Sequence, residues 1–358
     1  MNKKIIFSTG GTGGHIFPAI NLMNHFSGRG YDVLLVTDDR GDRFVKKKMK
    51  LKSYILQTET TTNKIFFKKI LSLLVIVNSI IKSIFILKNE KPNLIFGFGG
   101  YVSFPLSFAS KFFGIPLIIY ENNMVLGRAN KYLLPFSKKI FVAKKIIKNF
   151  PKKYENKVHE VGSVLAKDII DFSFNIKKDK KNFSILVLGR SQGAEIFGEI
   201  VPATINKIKK SGYEVQIMQQ CTAKQKIQLE DFYQKNKIKN YLFEFEENIL
   251  RLISSADLAI TRCGASTTAE LAHVFTPFIA VPLPDSIDHH QYLNAKYYEE
   301  QGCCWLLNQH SFNHENLFNL IMEAVINKNK LEDMRANMKK IHNKNVYKYI
   351  EAAIKDLI

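Results

Sequence analysis

Apolar residues along the chain gather in short runs, and these alternate with longer stretches in which apolar positions recur every three or four residues. In the first half the runs are "KKIIFST", "YDVLLVT", "SYILQT", "NLIFGFG", "PLIIYE", "KIFVA" and "KVHEVG". Most carry an uninterrupted apolar core of three or more residues rather than alternating with polar ones. That pattern predicts strands of a parallel sheet buried on both faces by the intervening helices. A Lys-rich break, "NIKKDKKN" at 175–182, interrupts the pattern, which then restarts with "FSILVLG", "YEVQIMQQ", "YLFEF", "DLAITR", "PFIAVPL" and "CWLLN". The expectation is two doubly wound α/β halves joined by a linker, which suits a chain of 358 residues. The end of the chain, "NVYKYIEAAIKDLI", reads as one more helix.

The halves echo one another. Each opens with a strand that runs into a Gly-rich turn and a helix: "IIFSTGGTGGHIFPAI" in the first, "ILVLGRSQGAEIFGEI" in the second. Two such domains facing each other place a cleft at their strand ends, where open α/β sheets bind ligands. At Gly10, Gly11, Gly13 and Gly14 the backbone N–H groups can approach a phosphate at a helix N-terminus, or the turn can simply close the strand-helix unit. Pro18 is expected in the first helical turn. A dinucleotide site would draw on Asp38 or Asp39 after the second strand, but the third glycine of GxGxxG falls on Ile16. No Walker lysine follows either. A third loop, "TRCGASTTAE" at 261–270, gives a bare turn at Gly264 to Ser266 and a helix opening with Thr267 and Thr268. Glu270, three residues after Thr267, shares the face of that helix mouth, where its carboxylate can take ribose hydroxyls, face solvent or complete a capping box.

Charge narrows the partners. The chain carries 52 Lys and Arg against 32 Asp and Glu, a formal +20. Anionic membranes and phosphorylated ligands rank ahead of nucleic acid, because no Arg-rich tract or zinc-finger spacing is present. Four cysteines (Cys221, Cys263, Cys303 and Cys304) without CxxC spacing, and a start directly on a strand, suit a reducing cytoplasm. The most apolar run, "KKILSLLVIVNSIIKSIFILK" at 68–88, is interrupted by Lys82 and reads as a helix packed on the first sheet rather than a span. Lys68, Ser72, Ser79, Lys82 and Ser83 form a narrow polar stripe on it, leaving apolar residues over for a membrane surface.

Taken in order, "GGTGGH", "GFGGYVSFP", "YENN", "GRSQGA", "TRCGASTTAE" and "DHHQYLNA" resemble the MurG family of bacterial glycosyltransferases, from residue 3 to about residue 305. The resemblance implies a GT-B fold of two Rossmann-like domains, 1–163 for acceptor and membrane and 164–339 for the nucleotide sugar; the spacing leaves open whether a C-terminal helix at 340–358 packs on its own half or back on the first. It implies inverting transfer of N-acetylglucosamine from UDP-GlcNAc to the C4 hydroxyl of lipid I, giving lipid II, at the cytoplasmic face of the inner membrane. Partners would be UDP-GlcNAc, lipid I, the anionic membrane surface and other cell-wall synthesis proteins; no cofactor and no metal is implied, and no DxD motif is present. Donor-site residues carried over by position are Thr12, Gly13, Gly14, Asn123, Ser191, Ala265, Ser266, Thr267, Glu270 and Gln291. The counterpart of Glu270 holds the ribose, and that of Gln291 helps hold the sugar.

His15 is the titratable side chain nearest the first loop, a candidate base or a group that positions the acceptor; Glu121 is a rival base. Arg190 and Arg262 are candidates to stabilise the leaving diphosphate. Three departures stand out. Tyr120 and Asn122 replace the His and Gln of the family's "HEQN", and Arg190 replaces a glycine of "GGSQGA". "GSVLA" at 162–166 replaces "GNPVR", so the family's arginine falls on Ala166, next to Lys167. A glycosyltransferase with another lipid acceptor such as diacylglycerol, an NAD-dependent oxidoreductase and a non-catalytic sugar-nucleotide sensor are the competing readings.

Overall fold

The computed structural model describes residues 3–11, 13–46, 51–57, 66–172, 182–342 and 345–358, with backbone only at 46, 66–69, 71 and 190–194. The chain forms two compact units, Met1–Lys167 with Lys344–Ile358, and Asp168–Asn343. The predicted linker at 175–182 lies, apart from Asn182, outside the described residues.

In the first unit, strands β1 (Lys4–Ser8), β2 (Asp32–Thr37), β3 (Ser53–Ile55), β4 (Leu94–Gly97), β5 (Leu117–Glu121), β6 (Lys139–Val142) and β7 (Val158–Glu160) form one parallel sheet in the order β3-β2-β1-β4-β5-β6-β7. The second unit repeats the scheme. Strands β8 (Phe183–Leu188), β9 (Val215–Gln220), β10 (Lys239–Phe243), β11 (Leu258–Thr261), β12 (Phe278–Ala280) and β13 (Cys304–Leu306) run in parallel as β10-β9-β8-β11-β12-β13. Every apolar run singled out in the sequence is a strand; only "YLFEF" is displaced, with β10 beginning two residues earlier at Lys239. The central strands carry no solvent-facing side: Ile5, Ile6, Phe7, Leu94, Ile95 and Phe96 are all buried, as are Ile185, Leu186, Val187, Leu258, Ala259 and Ile260. A ring stack of Phe7, Phe26, Phe96, Phe98 and Phe141 fills one face of the first sheet.

In both sheets the winding reverses at the centre, between β1 and β4 and between β8 and β11. The strand ends at such a reversal are the ligand position of these folds. All the Gly-rich segments of interest follow these four strands.

The helix after β1 starts at Gly13, so Pro18 lies in its second turn rather than its first. A proline there lacks the N–H that would bond Gly14 O.

The C-terminal helix Val346–Ile354 belongs to the first unit, with Val346, Ile350 and Ile354 buried. Tyr347 donates its hydroxyl to Leu165 O at 2.5 Å and stacks on His25 at 4.5 Å. Glu351 pairs with His25 Nε2 at 2.7 Å and Arg29 Nε at 2.8 Å, and Lys139 Nζ donates to Ala353 O and Asp356, each at 2.7 Å.

The helix Phe66–Glu90 buries serines beside Ile86 and Leu87 and leaves much of its apolar surface exposed. Ser72, Ser79 and Ser83 face inward and are buried, Ser79 donating to Gln57 O and Ser83 to Ser79 O. The small side chains permit close packing, chiefly against the helix Ser103–Ala109 rather than the sheet. Lys82 points outward, which splits the predicted polar stripe, and the outer face carries Ile70, Leu73, Leu74, Val77, Ile81 and Phe85. Its inner end is pinned by Glu90, which accepts from Lys4 Nζ at 2.8 Å, Lys52 Nζ at 2.5 Å and Tyr54 OH at 2.6 Å. Charge is divided as unevenly: 31 of the 52 Lys and Arg but 11 of the 32 Asp and Glu lie in the first unit. That unit therefore carries the whole formal +20 and the second is neutral.

Candidate functional site

In the first unit the loops after β1 and β4 touch through bare backbone. Gly10 N donates to Gly99 O at 3.0 Å, and a Cβ at Gly100 would lie 2.8 Å from Gly10 Cα, too close for any side chain. Gly99 and Gly100 also take φ of +88° and +79°, the left-handed region that glycine alone enters freely. The imidazole of His15 lies over this junction: a Cβ at Gly99 would sit 3.1 Å from His15 Cε1 and 3.2 Å from its Nδ1. Gly13 and Gly14 open the helix that carries His15, with nothing within 4 Å of a Cβ at Gly14, so backbone is accessible there. Thr12 lies outside the described residues.

The segment after β5 is organised by Glu121, a buried carboxylate. Its Oε1 accepts from Asn123 N and Nδ2, each at 3.1 Å, and its Oε2 from Gly127 N at 2.8 Å and Asn130 Nδ2 at 3.0 Å. With its lone pairs committed to four donors, Glu121 shapes the loop and is a poor base. It fixes Asn123 and, through Asn130, reaches the Gly99 face on which His15 lies. Asn130 was not singled out in the sequence, since a lone Asn in a short helix gives no local signal.

Two departures from the family pattern touch each other. The Tyr120 hydroxyl donates toward Asn122 Oδ1 at 3.0 Å and Gly162 O at 3.1 Å, and accepts from Val164 N at 3.0 Å. The tyrosine at the "YENN" position thus holds the altered "GSVLA" loop directly. Burial raises its phenol well above the usual range, so it stays a neutral donor. Lys167, beside Ala166, is exposed and begins the short helix Lys167–Ile170. Asp38, the other acid weighed in the sequence, accepts from Gly41 N at 2.8 Å at the start of the helix Asp39–Lys46. That is a capping role and gives no support to a ribose contact there.

In the second unit the loops after β8 and β11 lie side by side, Arg262 N donating to Leu188 O at 3.1 Å. Ser191 is in the first turn of the helix Arg190–Lys210, whose N-cap is Gly189; only its backbone is described. The helix Ala265–His273 has Gly264 as N-cap, so no cap side chain occupies its first N–H groups. Ala265, Ser266 and Thr267 form its first turn, and Thr268 turns its hydroxyl back to Gly264 O and Ala265 O, each at 3.2 Å. Its N-terminal dipole therefore opens onto backbone, the arrangement that receives a diphosphate. Glu270, half-buried, follows one turn later on the same helix.

Gln291 sits against this mouth. Its Oε1 accepts from Cys263 N at 3.1 Å and Leu283 N at 3.0 Å, which directs its amide as a donor. Asn294 secures the other side of the turn, donating to Cys263 O at 3.1 Å. Arg262 departs from its expected role. Its guanidinium is buried against the Phe197 ring, donating to Val281 O at 3.2 Å, Pro282 O at 3.3 Å and Gln309 Oε1 at 2.7 Å. It braces the β11 loop from within and is spent on neutral oxygens. Burial lowers its proton affinity. Among the described residues no group of three or more His, Cys, Asp and Glu is placed to hold a metal.

The chain matches the models of the glycosyltransferase family 28 N-terminal domain over residues 5–142 and the family 28 C-terminal domain over residues 184–350. It is 37% identical to the UDP-N-acetylglucosamine–N-acetylmuramyl-(pentapeptide) pyrophosphoryl-undecaprenol N-acetylglucosamine transferase of Rickettsia canadensis, covering 99% of this chain and 100% of that protein. It is 34% identical to the enzyme of the same name from Pelagibacter ubique, over 100% and 99% of the two chains. Among solved structures it superposes on MurG of Acinetobacter baumannii with a TM-score of 0.81 at 23% identity, covering 99% and 100% of the chains. A Neisseria meningitidis UDP-GlcNAc 2-epimerase bound to UDP-GlcNAc shares the fold, with a TM-score of 0.68 at 15% identity over 98% and 99%. The chain has the GT-B fold and belongs to glycosyltransferase family 28, and within it to the MurG family.

Proposed function

We propose that the chain moves N-acetylglucosamine from UDP-GlcNAc to the C4 hydroxyl of the N-acetylmuramyl sugar of lipid I, releasing UDP and forming lipid II. The donor and acceptor are those in the names of its full-length relatives. The structural observation that carries the reading is the bare helix mouth at Gly264 to Thr267 with Glu270 one turn on. The diphosphate rests on the helix N-terminus, the ribose hydroxyls meet the carboxylate, and the Gln291 amide donates to the sugar. As the anomeric bond breaks, negative charge grows on the diphosphate, and fixed N–H dipoles stabilise it without reorganising.

In the first unit the acceptor hydroxyl gives its proton to His15. The imidazole lies in the first turn of the helix that follows β1, beside the accessible backbone of Gly14. The undecaprenyl chain keeps the acceptor in the bilayer, so the enzyme works at its surface. The outer face of the helix Phe66–Glu90 and the positive charge of the same unit suit peripheral attachment to an anionic leaflet. Binding there accounts for a helix whose apolar side faces away from its own core.

A panel assay tests the reading. The protein is given UDP-GlcNAc, UDP-glucose or UDP-galactose with a lipid I analogue or diacylglycerol, and products are identified by mass spectrometry. Transfer from UDP-GlcNAc to the lipid I analogue is expected; transfer to diacylglycerol alone would overturn the acceptor assignment.

A further inference from the structure

Asn130 is fully buried, and its Nδ2 donates to Tyr120 O at 3.2 Å and Glu121 Oε2 at 3.0 Å. Only the NH2 end of a carboxamide can face two oxygens, so the orientation of the group is fixed. Its Oδ1 therefore points the other way, and no donor reaches it among the described residues. An acceptor buried without a partner costs about 1–3 kcal/mol, and folds retain such a group mainly where function uses it.

The side chain that shares the Gly99 face with Asn130 is His15. A Cβ at Gly99 would lie 3.4 Å from Asn130 Nδ2 and 3.2 Å from His15 Nδ1. With no side chain at Gly99, the edge of the His15 ring and the Asn130 carboxamide border one space. We propose that Asn130 is a positioning residue for the reaction: in the reacting complex its Oδ1 accepts the Nδ1–H of His15, so that Nε2 is the unprotonated nitrogen that takes the acceptor's proton. The inference rests on the reading that His15 takes the proton. The C4 hydroxyl proton passes to Nε2, the oxygen forms its bond to the anomeric carbon, and the anomeric C–O bond breaks with its electron pair leaving on UDP. A neutral amide suits this place better than a carboxylate, because Glu121 already puts one negative charge on the far side of Asn130.

The tautomer of His15 tests the proposal directly. Protein labelled with 15N-histidine, with His15 assigned from the spectrum of His15→Gln, is measured with UDP-GlcNAc bound at a pH where the imidazole is neutral. The proton is expected on Nδ1; a proton on Nε2 overturns the proposal with no variant required. Asn130→Leu should lose the tautomer preference and lower kcat by roughly 10- to 1000-fold, with KM for UDP-GlcNAc held within about twofold. Asn130→Asp, which keeps an acceptor, should retain the Nδ1–H tautomer. An unchanged tautomer in a folded Asn130→Leu protein would also overturn the proposal. The base reading fails separately, if His15→Ala keeps its turnover while the native tautomer is Nδ1–H.

Discussion

Replacing Leu73, Val77 and Phe85 together by Glu should release the protein from anionic membranes while leaving its fold intact. These side chains are 58%, 45% and 61% exposed, so about half of each is free to enter a bilayer surface. Full burial of such a side chain is worth about 1.5–3 kcal/mol, so the exposed half contributes about 1 kcal/mol each. Three glutamates forfeit that and add repulsion from anionic headgroups of about 1 kcal/mol each. The loss of about 6 kcal/mol corresponds to roughly ten-thousandfold weaker partition. Cosedimentation with vesicles of phosphatidylglycerol and phosphatidylethanolamine reads it, with circular dichroism as the control for folding. Activity on a water-soluble lipid I analogue should be unchanged, whereas activity on long-chain acceptor in vesicles falls. Native-like partition of the triple variant would show that the outward apolar face is not the membrane contact.

Other substitutions probe the remaining parts. Tyr120→Phe strips the buried bonds to Gly162 O and Val164 N and should cost about 2–4 kcal/mol of stability, read as a lowered denaturation midpoint; an unchanged midpoint would mean the "GSVLA" loop holds itself. Glu90 is held low, to about 2, by hydrogen bonds from Lys4, then Lys52 and Tyr54. Because its folded value is depressed, its contribution is complete above the unfolded carboxylate range and drains away as pH falls through about 2. With allowance for solvent screening, Glu90→Gln should lose about 2 kcal/mol at neutral pH, and acid titration of both proteins should show that gap closing below about pH 4. Glu270→Gln should weaken UDP binding roughly 10- to 100-fold by calorimetry, and the penalty should vanish for a dideoxyribose UDP analogue.

The strands were legible because a parallel sheet covered on both faces writes itself as uninterrupted apolar runs, and β1, β4, β8 and β11 needed no further cue. The bare turns at Gly10 to Gly14 and at Gly264 were legible for the same local reason. Direction was not. Ser72, Ser79 and Ser83 read as a polar stripe with no assigned side, and they face inward, because periodicity gives a face and not what it packs against. The roles of Arg262 and Asn130 also escaped the sequence. Both depend on partners far along the chain: Gln309 and the Val281 and Pro282 carbonyls for one, Tyr120, Glu121 and the Gly99 face for the other.

The central claim divides labour between the units: His15 in the first moves the proton, and the β11 loop in the second grips the donor. Steady-state kinetics and UDP-GlcNAc calorimetry on His15→Ala test this most directly. The account predicts a fall in kcat of about 100-fold or more, with donor affinity within about twofold of native. Native turnover in that variant, or a loss confined to donor affinity, would contradict it.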